Sequence, residues 1–233
     1  MEPTWAEDFP RLYELYHESD QHDEANYFAR LPEELKNPYA RPSYERLEEE
    51  LEQLDDGAWQ EFKEKVLSYI TIMDSRRGYE QLFDLFMEVK GYLYLKSEGC
   101  EKIHFIPEGD TKTPDLCARC GSSTVLLEAK TINKSDEEID WIRANSERPD
   151  GRMQAKEVRL GLGDSLKRKI ADKINKAKEQ LMSYACEGVQ RRIVYLIIHL
   201  DILRALDPRN LGELVAYIDE QSDEQIEVMH HRI

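Results

Sequence analysis

Residues 124–131 read TVLLEAKT, an apolar and β-branched run of the kind that forms a buried strand, with two charged side chains near its end. Because side chains alternate between the two faces of a strand, Glu128 and Lys130 leave the same face. A second extended segment, residues 114–118, begins with Pro114-Asp115. In an antiparallel hairpin, the start of this segment lies beside the end of the next. The pairing would bring Asp115 to Glu128 and Lys130.

The surrounding sequence predicts an α/β fold. Apolar residues at spacings of three and four predict helices over residues 75–97, ended by Gly99, and over residues 165–185. The order α-β-β-β-α-β, with a further αβ appended, predicts a three-layer sandwich with a central mixed sheet. The remaining predicted elements are strands at residues 102–107, 192–200 and 225–229 and a helix at residues 211–220.

Residues 1–74 differ in composition from the rest of the chain. They hold 20 acidic and 7 basic side chains, which is −13 of the formal charge of −16. Leucine and aromatic spacing predicts two helices here, broken near Asp56-Gly57. We interpret residues 1–74 as an acidic helical N-terminal region and residues 75–233 as the domain that carries the strands.

Basic residues concentrate in one later segment. Residues 156–178 hold 8 basic and 3 acidic side chains. Lys173, Lys176, Gln180 and Tyr184 fall at helical spacings along one side of the predicted helix. This side is interpreted either as a stripe that follows phosphates or as a solvated helix face.

Asp115, Glu128 and Lys130 together suggest hydrolytic chemistry. Two carboxylates offer the hard oxygen ligands that divalent cations prefer, and a neighbouring ammonium stabilises negative charge that develops during attack on a phosphate. The alternative for these residues is a surface ion-pair network.

The motif Pro114-Asp115 followed by Glu128-Ala129-Lys130 resembles that of the PD-(D/E)XK nuclease superfamily, and the element order of residues 75–233 resembles its core. Glu88 lies on the preceding helix, where many members carry a further glutamate. Gln180 and Tyr184 resemble the Q-x-x-x-Y element of the RecB-like branch. The resemblance implies a restriction-endonuclease-like fold and Mg²⁺- or Mn²⁺-dependent hydrolysis of DNA.

The resemblance also implies a role for each matched residue. Asp115, Glu128 and the backbone carbonyl of Ala129 would ligate the metal, and Lys130 would orient or activate the attacking water. Glu88 would complete the site, although a solvated position is an equal alternative and Asp84 competes for the role. Gln180 and Tyr184 would position the substrate, with ordinary half-buried packing as the alternative for Tyr184.

Two other functions remain open from the sequence. One is a catalytically inactive nucleic-acid-binding module of the same fold, and the other is an acidic interaction protein that binds a basic partner. A protein partner or a homodimer also stays open. We expect residues 1–74 to cover the basic stripe around residues 167–178 or to dock a basic partner. The alternative is that Trp59, Phe62 and Leu67 pack this region into the fold.

The cysteines and the apolar runs predict a cytoplasmic protein. No signal peptide is recognisable, and the longest apolar run, residues 193–200, is too short to cross a membrane. Four cysteines in a chain of this size suggest reduced thiols. Cys117 and Cys120, with Cys100 and Cys186 elsewhere, invite a metal site, but the cluster spacing of the RecB-like relatives is missing.

Overall fold

The computed structural model describes residues 4–109, 112–133, 164–198 and 208–232. These residues form an α/β fold with one five-stranded mixed sheet, as predicted, and the strands follow chain order across it. The chain divides into two compact units, Met1–Thr124 and Val125–Ile233. The boundary near residue 74, drawn from composition, stays a prediction.

The strands are β1 (Glu101–Phe105), β2 (Leu116–Cys120), β3 (Ser123–Ile132), β4 (Val189–Ile198) and β5 (Glu227–Arg232). The α-helices are α1 (Pro10–Glu18), α2 (Leu31–Glu34), α3 (Arg41–Leu51), α4 (Asp56–Tyr69), α5 (Glu80–Ser97), α6 (Asp164–Ser183) and α7 (Pro208–Asp219).

Helix α4 anchors the acidic N-terminal stretch in the core of the first unit. Trp59 and Phe62 on α4 are completely buried, and Leu67 is half-buried. The ring centroid of Phe62 lies 5.8 Å from that of Phe86 on α5 and 5.2 Å from that of Phe105 on β1. The alternative that apolar side chains pack this stretch into the fold is therefore confirmed for α4.

Asp55 fixes the point at which α4 begins. Its Oδ1 accepts the backbone N–H of Ala58 at 2.9 Å, and its Oδ2 accepts the hydroxyl of Tyr92 on α5 at 3.1 Å. An aspartate at this position satisfies an amide that the first helical turn leaves without a partner. The predicted pair of helices is confirmed, but the break between them covers residues 52–55, and Asp56 and Gly57 lie in the first turn of α4.

A buried carboxylate from α3 performs the same task for α1. Glu48 Oε1 accepts the N–H of Arg11 at 2.7 Å and Oε2 accepts that of Leu12 at 2.9 Å. The residue that precedes α1, Phe9, has no side-chain acceptor of its own. Burial raises the pKa of Glu48, and the two amide hydrogen bonds oppose that rise. Part of the acidic content of residues 1–74 therefore serves internal packing.

Helix α5 begins at Glu80 and not at residue 75 as predicted. Before it, Asp74 and Gly78 exchange two backbone hydrogen bonds of 2.8 Å, and Gly78 has a φ of 64°, a left-handed conformation that glycine adopts readily. This tight turn keeps the preceding residues out of the helix. The predicted end is confirmed, because α5 stops at Ser97 and Gly99 follows with a φ of 75°.

The sheet contains the predicted strands with boundaries shifted by a few residues. Strands β1 and β2 are antiparallel, and β4 and β5 are parallel. Strand β4 is buried over residues 193–198, and the predicted continuation to residues 199–200 lies outside the described residues. None of the helices in the described ranges is long and apolar enough to cross a membrane.

Two cysteines at the ends of β1 and β2 form a disulfide. The antiparallel register pairs Glu101 with Arg119, so Cys100 and Cys120 face each other with Cα atoms 4.3 Å apart. The expected reduced state is wrong for this pair, because chain length and composition do not reveal strand register. The bond also removes Cys120 from any metal site shared with Cys117.

Candidate active site

Strand β3 holds two of the predicted catalytic residues in contact. The Glu128 side chain is fully buried, and its Oε1 contacts the ammonium of Lys130, whose side chain is 23% exposed. The two residues therefore share a face of β3, as their spacing predicts. Ala129 between them is half-buried. A surface ion-pair network does not describe this pair, because no part of the Glu128 side chain reaches solvent.

Asp115 belongs to the first unit and lies directly before β2. Its backbone carbonyl accepts the N–H of Ile106 at 2.9 Å, which ties it to the residue that follows β1. The residue is half-buried, and its carboxylate lies within electrostatic range of Lys65 on α4. Asp115 is thus held by the backbone while its side chain stays partly accessible.

Glu88 on α5 forms a buried ion pair with Lys65. The ammonium donates to Glu88 Oε1 at 2.9 Å and to Oε2 at 2.8 Å, and it lies 3.6 Å from Glu108 Oε1. Burial lowers the pKa of Lys65, but the charges of Glu88, Asp115 and Glu108 and the hydrogen bonds to Glu88 together outweigh it, so the net shift is upward and the ammonium stays charged. Glu88 is 7% exposed, so the solvated alternative is wrong, and Asp84 is half-buried.

Lys65 has no feature in the sequence that would select it as a site residue. It follows the buried Phe62 by three positions and precedes the buried Val66, so it lies at the edge of an apolar helix face. Lysines at such positions usually extend to solvent and cover the apolar surface with their methylene groups. Its partner Glu88 is 23 residues away on another helix. Only the packing of α4 on α5 identifies the pair.

A cavity of about 220 Å³ in the first unit borders this ion pair. Lys65 and Tyr69 line it from α4, and Phe105, Pro107 and Glu108 line it from the end of β1 and the segment that follows. The Tyr69 hydroxyl donates to Glu108 Oε2 at 2.8 Å, and this hydrogen bond raises the pKa of Tyr69. The cavity has room for several water molecules, so solvent reaches the edge of the ion pair.

The predicted substrate-binding residues lie along one flank of α6 in the second unit. Successive residues of a helix are about 100° apart, which places Lys173, Lys176 and Gln180 side by side next to the buried face. Lys176 is exposed, and Lys173 and Gln180 are half-buried. Tyr184 is half-buried and follows the last helical residue, Ser183. The helical spacing is confirmed for the three residues within α6.

The other flank of α6 uses its lysines for internal contacts. Lys178 Nζ donates to the backbone carbonyl of Gln221 at 2.6 Å, and Lys167 Nζ lies 5.7 Å from the ring centroid of Tyr217. The basic flank of α6, which carries Lys173 and Lys176, is therefore narrower than the stripe predicted over residues 167–178. Lys156 and Arg159, which contribute to the basic segment, lie outside the described residues.

The donor chemistry of the predicted metal ligands fits a hard divalent cation. Asp115, Glu128 and the Ala129 carbonyl offer only oxygen, which Mg²⁺ and Mn²⁺ prefer, and Glu88 offers a further carboxylate. Within the described ranges, no group of three or more histidine, cysteine, aspartate or glutamate residues forms a preassembled metal site. Comparisons of the chain with protein-family models, curated proteins and solved structures found no match.

Proposed function

We propose that this protein is a divalent-metal-dependent nuclease that hydrolyses phosphodiester bonds in DNA, built on a restriction-endonuclease-like sandwich. The observation that carries the proposal is the buried Glu128 carboxylate in contact with the Lys130 ammonium. The pair lies on β3, the neighbour in the sheet of β2, which Asp115 precedes.

The energetics of burial support a functional reason for this pair. Removing a carboxylate from water costs several kcal/mol in practice, and an ion pair in a protein interior recovers this only with good geometry and further hydrogen bonds. Apolar residues of similar volume would often stabilise such a strand equally well or better. A fully buried glutamate beside a lysine is therefore better explained by chemistry than by stability.

Each residue has a role in the proposed reaction. When bound, Mg²⁺ or Mn²⁺ supplies polarisation of the phosphate and a lowered pKa of the attacking water. Glu128, Asp115 and the Ala129 carbonyl would hold the ion, with Glu88 completing the site. Lys130, kept in place by Glu128, would orient the water and stabilise the charge that develops on the phosphate. The resemblance implies 5′-phosphate and 3′-hydroxyl products.

The test is cleavage of linear, circular and single-stranded DNA with Mg²⁺, Mn²⁺ or EDTA. We expect Lys130→Ala to lower the cleavage rate by about 100-fold or more, since it removes one electrostatic stabiliser of the transition state. Because Glu128 is fully buried, loss of its lysine partner should also lower the free energy of unfolding by about 3–5 kcal/mol, so circular dichroism must show that the variant is folded. Its metal binding should be retained, whereas Asp115→Asn should lose metal affinity as well as activity.

Lys90→Ala is the matched control for the lysine variant. The Lys90 side chain is 20% exposed, close to the 23% of Lys130, and it pairs with Glu50, so its removal breaks an ion pair outside the predicted site with a lysine of similar burial. The Glu50 side chain is 21% exposed, so this control matches the lysine and not the buried carboxylate. The control should cleave like the wild type. Cleavage in EDTA, or equal rates for Lys130→Ala and Lys90→Ala, would refute the proposal.

A further inference from the structure

The ion pair between Lys65 and Glu88 places a fixed positive charge among predicted site residues of the first unit. Both side chains are nearly inaccessible, with 11% of Lys65 and 10% of Glu88 exposed. Lys65 bonds to both carboxylate oxygens of Glu88, and the negative charge of Asp115 also acts on it. The ammonium therefore interacts with two carboxylates of the predicted metal site, those of Glu88 and Asp115, and it also lies 3.6 Å from Glu108 Oε1.

Competition between the two cations follows from this arrangement. A divalent ion that approaches Asp115 is repelled by the Lys65 ammonium, and at Glu88 it must share with Lys65 a carboxylate whose two oxygens both already accept from that ammonium. The repulsion is substantial, because burial reduces the effective dielectric constant around Lys65 and weakens screening. The cavity beside Lys65, which Glu108 also lines, has room for a hydrated ion next to the ammonium.

We propose that Lys65 is a positioning residue of the nuclease site, which holds Glu88 and sets the divalent-ion concentration at which the site fills. This inference rests on the proposed function, because it takes Asp115 and Glu88 as residues that face the metal. In the metal-free protein the Lys65 ammonium neutralises the buried Glu88. As the ion binds, the hold of Lys65 on Glu88 weakens, so affinity for the ion is lower than the carboxylates alone would give.

The chain offers a close control on the same helix. Lys63 lies two positions earlier on α4 and pairs with Glu14 and Glu18 at 3.2 Å and 2.6 Å. The Lys63 side chain is 9% exposed, which matches the burial of Lys65. Lys63→Met and Lys65→Met thus remove the same charge from the same helix and break ion pairs in which the lysine is equally buried. Lys65→Arg keeps the charge and the ability to bind Glu88.

The experiment is calorimetric titration of Mn²⁺ into the full chain and its variants, with circular dichroism to verify folding. We expect Lys65→Met to bind Mn²⁺ about tenfold more tightly than the wild type, since one repelling charge is gone. Lys63→Met and Lys65→Arg should stay within about twofold of the wild type. Should Lys65→Met fail to fold, Lys65→Gln keeps a polar partner for Glu88 and carries the same expectation.

The outcomes separate this inference from the proposed function. If the wild type binds Mn²⁺ but Lys65→Met and Lys63→Met share one affinity, the role of Lys65 is overturned and the nuclease proposal is not. If Lys65→Met binds more tightly while the wild type cleaves no DNA, the role of Lys65 stands and the nuclease reaction falls. A folded wild type that binds no Mn²⁺ overturns both.

Discussion

Replacing Phe62 tests whether the acidic N-terminal stretch is part of the folded core. Phe62 is fully buried on α4, and its ring packs against Trp59, Phe86 and Phe105, with centroids 6.4, 5.8 and 5.2 Å away. These partners lie on α4, α5 and β1, so one ring joins three elements. Phe62→Ala should lower the free energy of unfolding by about 3–5 kcal/mol, the usual cost of truncating a buried aromatic residue.

That loss is large beside the total stability of an ordinary domain, about 5–15 kcal/mol. Urea unfolding followed by circular dichroism and tryptophan fluorescence measures it, with both probes expected to shift to the same lower midpoint at an unchanged slope. Phe83→Ala on α5 is the control, because Phe83 is 43% exposed and its ring contacts that of Tyr27 at 5.3 Å, so its removal should cost only about 1 kcal/mol. A change below about 1 kcal/mol for Phe62→Ala would show that α4 does not stabilise the core.

The same packing changes what a truncation experiment can measure. Deletion of residues 1–74 would remove Trp59 and Phe62 and expose the faces of α5 and β1 that they cover. Such a protein should unfold in part. Altered DNA binding after truncation would then report lost structure, and not the uncovering of the basic stripe around residues 167–178. Point variants at exposed acidic positions are the appropriate test of whether residues 1–74 hinder DNA binding.

The basic flank of α6 and the Cys100–Cys120 disulfide each have a measurable consequence. Replacing Lys173 and Lys176 together by glutamine should weaken DNA binding. The slope of log K against log salt should fall in magnitude by about 2, since two phosphate contacts are lost. Lys178→Gln, which removes a lysine that contacts the backbone of Gln221, should leave the slope unchanged. Equal slopes in a salt titration of both variants would contradict this. Cys120→Ser should lower the free energy of unfolding by about 3 kcal/mol, because Cys100 and Cys120 are 20 residues apart and their bond restricts the unfolded chain. A reductant should destabilise the wild type by a similar amount and leave the variant unchanged.

Local sequence patterns predicted the elements well because those elements follow local rules. The sequence predicts a strand at residues 124–131, and β3 occupies Ser123–Ile132, since β-branched and apolar residues specify it without help from distant parts of the chain. Helix α6, predicted at residues 165–185, spans Asp164–Ser183 for the equivalent reason of helical periodicity. The contact of Lys130 with Glu128 follows from the two-residue period of a strand.

The features that the sequence did not reveal depend on partners far apart in the chain. Glu48 accepts amides that are 36 and 37 residues away, and Lys65 binds a carboxylate 23 residues away. The Cys100–Cys120 bond depends on how β1 pairs with β2. In each case the residue looks ordinary in its own window, because helix packing and strand register create the interaction.

The distribution of charge determines how an acidic protein can approach a polyanion. Within residues 1–74, Lys63 and Lys65 are buried in ion pairs, while Glu49 and Glu52 are exposed, so this stretch presents mainly negative charge to solvent. Exposed charges act over about 8–10 Å at ordinary ionic strength, and low salt strengthens their repulsion of DNA as well as the attraction of the α6 flank. The absolute salt dependence of binding therefore mixes two opposing effects. The wild type and the variant with glutamine at positions 173 and 176 share the same repulsion, so it cancels in the difference between their slopes of log K against log salt. That difference, and not either slope alone, measures the phosphate contacts.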